Sequence, residues 1–346
     1  MSIATTLGHF ITQPLSAVAD VPATFEQLLQ RSVLRLLDAN MLIEDSLQPL
    51  APERASSVQQ PLEQFEQTWV IDQLIDCIKQ EGLAPHFHSM IGLFGSIMMS
   101  LTATPSQLQQ VQDWVNDGIF GHFLMTDKGG PSLAHWRTQL YQADHELRLK
   151  VDKMHGIEAH KLGFAMIVAA QPGKPFPVTV MLPPELCAQL NQRAVGNTYL
   201  DGHLQLGNCS GEVAVTTDMM LSGGGLGSVN RFLTLVRPRF VKSLMHHLLF
   251  LHQHKEVHLD HQDQHHIEYL IGVCQRQLEN NHFSIHSVNR VLATKFASNE
   301  LLLNLVMDNK VVRTEVQRDL LGFSKMEGSS YRCFFEIYSK LKGQRL

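Results

Sequence analysis

The sequence predicts an α+β fold in three successive parts: an N-terminal helical domain (1–117), a central β-domain (118–222) and a C-terminal helical bundle (223–346). Three observations carry this. Apolar residues first recur every three or four positions. Short alternating or β-branched runs, punctuated by Gly, Pro and Asn, then take over. The helical period finally returns and lasts to the end.

In the first helix, TFEQLLQRSVLRLLDANML, the apolar face is Phe25, Leu28, Leu29, Val33, Leu36 and Leu37. The polar, proline-containing DSLQPLAPERASSVQQPLEQ separates it from FEQTWVIDQLIDCIKQEGL, which closes at Gly82 and Pro85. HSMIGLFGSIMMSL is apolar nearly all round, as a buried helix is. In TATPSQLQQVQDWVNDG, Thr104 can cap a helix with Pro105 at its first position. FGHFLM, HELRLKVDKM, FAMIVAA, FPVTVMLP and HLQLGNCSGEVAVTTDM read as strands. GGGLGS lacks the GxGxxG pattern and reads as a hinge into VNRFLTLVRPRFVKSLMHHLLFLHQ, which Pro238 should kink. HHIEYLIGVCQRQLE and SVNRVLATKFASNELLLNLVM complete the bundle.

At 346 residues the chain can bury a large core. Its 44% hydrophobic and 18% charged content is that of a soluble globular protein, and a net charge of −5 without a basic block argues against nucleic-acid binding. No run is apolar enough to span a bilayer, and the N-terminus has no signal-peptide pattern. Cys77, Cys187, Cys209, Cys274 and Cys333 are odd in number and lack a CxxC pair, pointing to reduced thiols and a cytoplasmic location. Between His246 and His266, the pairs His254/His258 and His261/His265 have the i, i+4 spacing of metal ligands. HKEVH is not HExxH, however, and the segment reads as a solvated helix-hairpin surface without a metal.

Four stretches, in the right order and covering most of the chain, carry a resemblance to the acyl-CoA dehydrogenase family. ATPSQLQQVQDWVNDGIFGHFLMTDKGGPS resembles the helix leading into the family's TEPGAGSD flavin loop. LKVDKMHGIEAHKLGFAMIVAA resembles its LNGxKxWITNxxxAxxxxVxA strand pair, and VNRFLTLVRPRFVKSLMHHLLFLHQ its long bundle helix. KFASNELLLNLVM and RDLLGFSKMEGSSYRC resemble KLFASExA and RDxxxxxIYEGTSEIQR.

The resemblance implies an FAD-dependent oxidoreductase of fatty acid metabolism. Such an enzyme converts an acyl thioester, on CoA or an acyl-carrier protein, to a trans-2-enoyl thioester. Glu327 falls on the family's catalytic base. Thr126 and Ser132 fall on its flavin-loop hydroxyls, with Gly129 and Gly130 between them. Gly328 and Arg231 fall on substrate-side positions, Arg237 being the alternative arginine. An electron acceptor such as an electron-transfer flavoprotein, and a homodimer or tetramer, go with that family.

The departures fall where the family grips FAD. Gly156 and Glu158 stand near the flavin-covering WIT, where a carboxylate would oppose an anionic reduced flavin. In the loop, Asp127, Lys128, Pro131 and Leu133 replace glutamate, proline, glycine and aspartate. HQHKEVHLDHQDQHH replaces RxxFGxxLxxxQ, and the QIHGGYGY loop is missing. They motivate a second reading: a degenerate relative, impaired in flavin binding, that keeps the fold for acyl-thioester binding or partner assembly.

Overall fold

A computed structural model describes residues 11–40, 60–61, 68–130, 132–221, 226–280 and 282–341. Residues 11–16 are helical, and helices α1 (Ala23–Asn40), α2 (Thr68–Glu81), α3 (Phe87–Thr102) and α4 (Pro105–Asn116) follow. The apolar spacing of α1 puts Phe25, Leu28, Leu29, Val33 and Leu37 in the core, with Leu36 half-buried. Thr104 caps α4 reciprocally with Gln107, and Pro105 sits at the first helical position. The proline-containing stretch between α1 and α2 lies almost wholly outside the described residues.

The strands of the central region are β1 (Gly121–Leu124), β2 (Gln139–Ala143), β3 (Glu146–Ile157), β4 (Phe164–Ala169), β5 (Val178–Leu182), β6 (Asn191–Tyr199) and β7 (Leu204–Val215). β1, β4 and β5 form one sheet, with β1 parallel to β4 and β5 antiparallel to it. The other sheet has the order β2–β3–β7–β6, antiparallel throughout. Alternating side chains from both sheets, among them Leu124, Leu149, Val151, Ile167, Val180 and Val213, build a shared apolar core. The β3–β7 register shifts between Lys153 and Gly156, close to the loop that follows β1.

The C-terminal helices are α5 (Leu226–Gln253), α6 (His261–Glu279), α7 (Ile285–Met307), α8 (Thr314–Phe323) and α9 (Ser330–Leu341). α5 is helical on both sides of Pro238. Asp260 with Asp263, and Ser284 with Ser287, box the starts of α6 and α7. Gly223 to Gly225 of the expected hinge lie outside the described residues.

Helix, strand and helix follow one another along the chain, but two compact units form that do not keep chain order. One holds α1, α2 and the chain from Leu233 onward; the other runs from Ala84 to Phe232. In the first, Thr24 Oγ1 lies 2.8 Å from His266 Nε2, and Arg35 pairs with the buried Glu300.

The histidine-rich segment differs from the solvated surface expected of it. His254, His258, His261 and His265 are exposed, whereas His246, His247 and His266 are buried. Their helices also carry an apolar face, and the imidazoles on that face are taken inside. The Leu83 amide donates to His247 Nδ1 at 3.3 Å. Among the described residues, no three His, Cys, Asp or Glu side chains gather as metal ligands. Among the same residues, no helix is long and apolar enough to cross a membrane.

Candidate functional site

The loop after β1 is organised by its acid. Asp127 is buried, and its Oδ1 accepts the amides of Gly129 and Arg137, both at 2.8 Å. Its Oδ2 accepts the Thr138 amide at 3.0 Å and faces the Lys153 ammonium at 3.5 Å. Burial alone would push the Asp127 carboxyl up, but these donors hold it below its ordinary value. Lys153 also donates to the Met125 carbonyl and lies 4.4 Å from the centre of the Trp136 ring. Burial still outweighs its partners and brings its pKa down to about 8.

The loop's own bonds decide which of its groups a flavin could use. The amides of Lys128, Gly129 and Gly130 go to the Asp152 carbonyl, the Asp127 carboxylate and the Asp127 carbonyl. A Cβ on Gly129 would run into the His135 carbonyl oxygen, so the close approach requires glycine there. Thr126 and Ser132 are exposed, and Ser132 makes no capping bond to the short helical turn after it. Thr126 and Ser132 therefore present two exposed hydroxyls on either side of the glycines. The amides of residues 128–130 are engaged within the protein and are not open to a pyrophosphate.

Glu158, the residue that departs most from the flavin-covering motif, is buried with a left-handed backbone, φ 52°. The Gln205 amide donates to its Oε1 at 2.7 Å, and the Lys161 ammonium lies 3.0 Å from Oε2. His88 and His160 approach the same carboxylate at 3.5 and 3.7 Å. Burial would raise its pKa; the Gln205 amide and Lys161 outweigh that and keep it ionised. The carboxylate is thus compensated by partners within its own unit.

Glu327 lies between α8 and α9 in a turn with two successive positive φ values, 55° at Glu327 and 115° at Gly328. The turn is held from outside: Arg237 Nε donates to the Glu327 carbonyl at 2.9 Å, and Asn299 Nδ2 to the Gly328 carbonyl at 3.0 Å. A Cβ on Gly328 would meet Cys333 Sγ at 3.0 Å and Arg237 Nη2 at 3.3 Å, so sterics and φ both call for glycine. The Ser329 hydroxyl accepts the Arg332 amide and caps α9. Glu327 is half-buried. Burial pushes its carboxyl up, against the pull of Arg237 and Lys295. Arg231 is half-buried near the start of α5, and Arg237, two turns on, is the arginine that reaches this turn.

Glu327, Gly328 and Arg237 thus come together in one unit, while Thr126, Gly129, Gly130, Ser132 and Arg231 belong to the other. Sequence reading missed Lys295 and Asn299. Their i, i+4 spacing was visible, but on α7 it looked like any polar helix pair.

No family model matches the sequence, and no curated protein matches it. Solved structures do, and they give the class: the chain has the fold of the acyl-CoA dehydrogenases. Glutaryl-CoA dehydrogenase from Mycobacterium smegmatis is 12% identical, with a TM-score of 0.61 over 99% of this chain and 95% of that one. Butyryl-CoA dehydrogenase from Megasphaera elsdenii is 12% identical, with a TM-score of 0.57 over 79% and 81%. The flavoprotein nitroalkane oxidase is 11% identical, with a TM-score of 0.62 over 97% and 93%.

Proposed function

We propose that this chain catalyses FAD-dependent α,β-dehydrogenation of an acyl thioester, on CoA or an acyl-carrier protein, to the trans-2-enoyl thioester. The Glu327 turn carries the reading. An α-proton is a weak acid, and a carboxylate fully exposed to water is a poor base for it. A carboxyl raised by burial, on a backbone pinned by Arg237 and Asn299, is a better one.

Glu327 takes the α-proton, and its N–H donates to the thioester carbonyl oxygen as enolate character develops. Gly328 and Arg231 are assigned to the substrate side. Thr126 and Ser132 hold the flavin's polar edge, with Gly129 and Gly130 shaping the loop between them. Bound FAD would supply the acceptor for the β-hydride. An electron-transfer flavoprotein as acceptor, a homodimer or tetramer, a cytoplasmic location and a role in fatty acid metabolism belong to the same proposal.

Nitroalkane oxidase shares the fold, so fold alone does not choose the substrate. The choice rests on MEGSS and its likeness to the dehydrogenase motif. A second reading, thioester binding without redox chemistry, draws on the engaged amides of residues 128–130.

Anaerobic titration of FAD-treated protein with acyl-CoA thioesters of graded length tests both. Flavin bleaching that disappears in Glu327→Gln is expected. Protein that stays colourless after FAD addition overturns the redox reading.

A further inference from the structure

Lys295 and Asn299 lie one turn apart on α7, and neither side chain reaches solvent. The Lys295 ammonium donates to Asn299 Oδ1 at 2.5 Å and to the Phe323 carbonyl at 3.1 Å. Burial brings the Lys295 pKa down to about 7; as an ammonium it can only donate, and in that form it fixes which end of the Asn299 amide faces it. The Nδ2 end points the other way and meets the Gly328 carbonyl. The segment from Phe323 to Gly328 is therefore held at one end by Lys295 directly and at the other through a single amide.

We infer that Lys295 is the positioning residue for Glu327, acting through Asn299 on the backbone of its turn; this rests on the reading of Glu327 as the base. Left-handed φ at a glutamate is strained and persists only where surroundings over-determine it. Arg237 and Asn299 supply that constraint on two adjacent carbonyls. Packing does not account for the lysine, because a methionine would fill similar space without burying an ammonium. The charged and titratable groups acting on this region are Arg237 from α5, Lys295 from α7 and Cys333 from α9. Lys295 and Arg237 both favour the ionised glutamate against burial.

The test uses the full chain and two readouts that need no turnover. One is amide hydrogen exchange across 324–329. The other is the ionisation midpoint of Glu327, read by infrared difference spectroscopy against Glu327→Gln. Lys295→Met is expected to speed exchange in this turn by roughly tenfold and to raise the midpoint by about one pH unit. Lys295→Gln still offers an N–H to Asn299; it restores slow exchange but leaves the midpoint high. Wild-type exchange and midpoint in Lys295→Met overturn the inference.

If Lys295→Met unfolds the bundle, Asn299→Leu decides. It keeps the lysine and cuts the link to Gly328. Faster exchange confined to the turn supports the inference, and wild-type exchange overturns it. Positive exchange results alongside a wild-type protein that never reduces flavin sink the base assignment of Glu327 while the positioning stands.

Discussion

Lys153 sits 3.5 Å from the Asp127 carboxylate with both side chains shut off from water, and the loop after β1 is fastened by this pair. Asp127 also gathers three amides, so its loss removes more than one charge. Asp127→Asn strands a buried ammonium and is expected to cost about 3 kcal/mol in urea unfolding. The folded Asp127 carboxyl is depressed, so its contribution is full above the unfolded value of about 3.9 and fades as pH falls through the lower folded value. The gap between wild type and variant therefore closes in acid. A gap that stays constant to pH 2 contradicts this account.

His246 and His247 supply a second acid sensitivity, at higher pH. Burial takes both down to about 4. A histidine lowered in the fold binds its proton first in the unfolded chain, so its contribution is whole above about 6.5 and drains away as pH falls toward 4. The buried His247 imidazole, lowered by desolvation alone, accounts for up to about 3 kcal/mol over that window. His247→Gln should flatten the stability curve between pH 6.5 and 4, measured by thermal unfolding in matched buffers.

Arg35 is the ion-pair partner of Glu300, whose side chain has no exposure. Arg35→Ala leaves that carboxylate uncompensated. The expected loss is about 2 kcal/mol, less than for a fully buried pair because the Arg35 side chain is 47% exposed. Glu300→Gln in the Arg35→Ala background should recover part of it, as urea midpoints will record.

If Glu327 is the base, it works ionised. With its carboxyl raised by burial, kcat/KM for an acyl-CoA should climb with pH through a midpoint above the ordinary 4.5. Glu327→Gln should reduce kcat by at least about a hundredfold while acyl-CoA still binds. A rate that is flat from pH 4 to 8 would count against the assignment.

Local signals were legible in the sequence. The change of period near residue 118 matches the step from α4 into β1, and Thr104–Pro105 announced its helix start. The MEGSS turn was findable because its glycine and small hydroxyls lie next to one another in the chain. Lys295, Glu158 and His247 were not legible in the same way. Each is a polar group taken inside by partners far along the chain, such as Gln205, 47 residues beyond Glu158, or Leu83, 164 residues before His247. Burial of that kind is decided by tertiary packing, and no local pattern announces it.

Thr24 meets His266 and Arg35 meets Glu300 across 242 and 265 residues. On the ribosome, α1 is finished long before the helices that cover it exist. At ordinary synthesis rates its apolar face, Phe25 and Leu28 included, waits on the order of 20 s for its partners. The stretch from Ala84 to Phe232 carries its own contacts and can close meanwhile. The order of birth thus sets α1 to fold among the last, and leaves it dependent on shielding until α7 emerges.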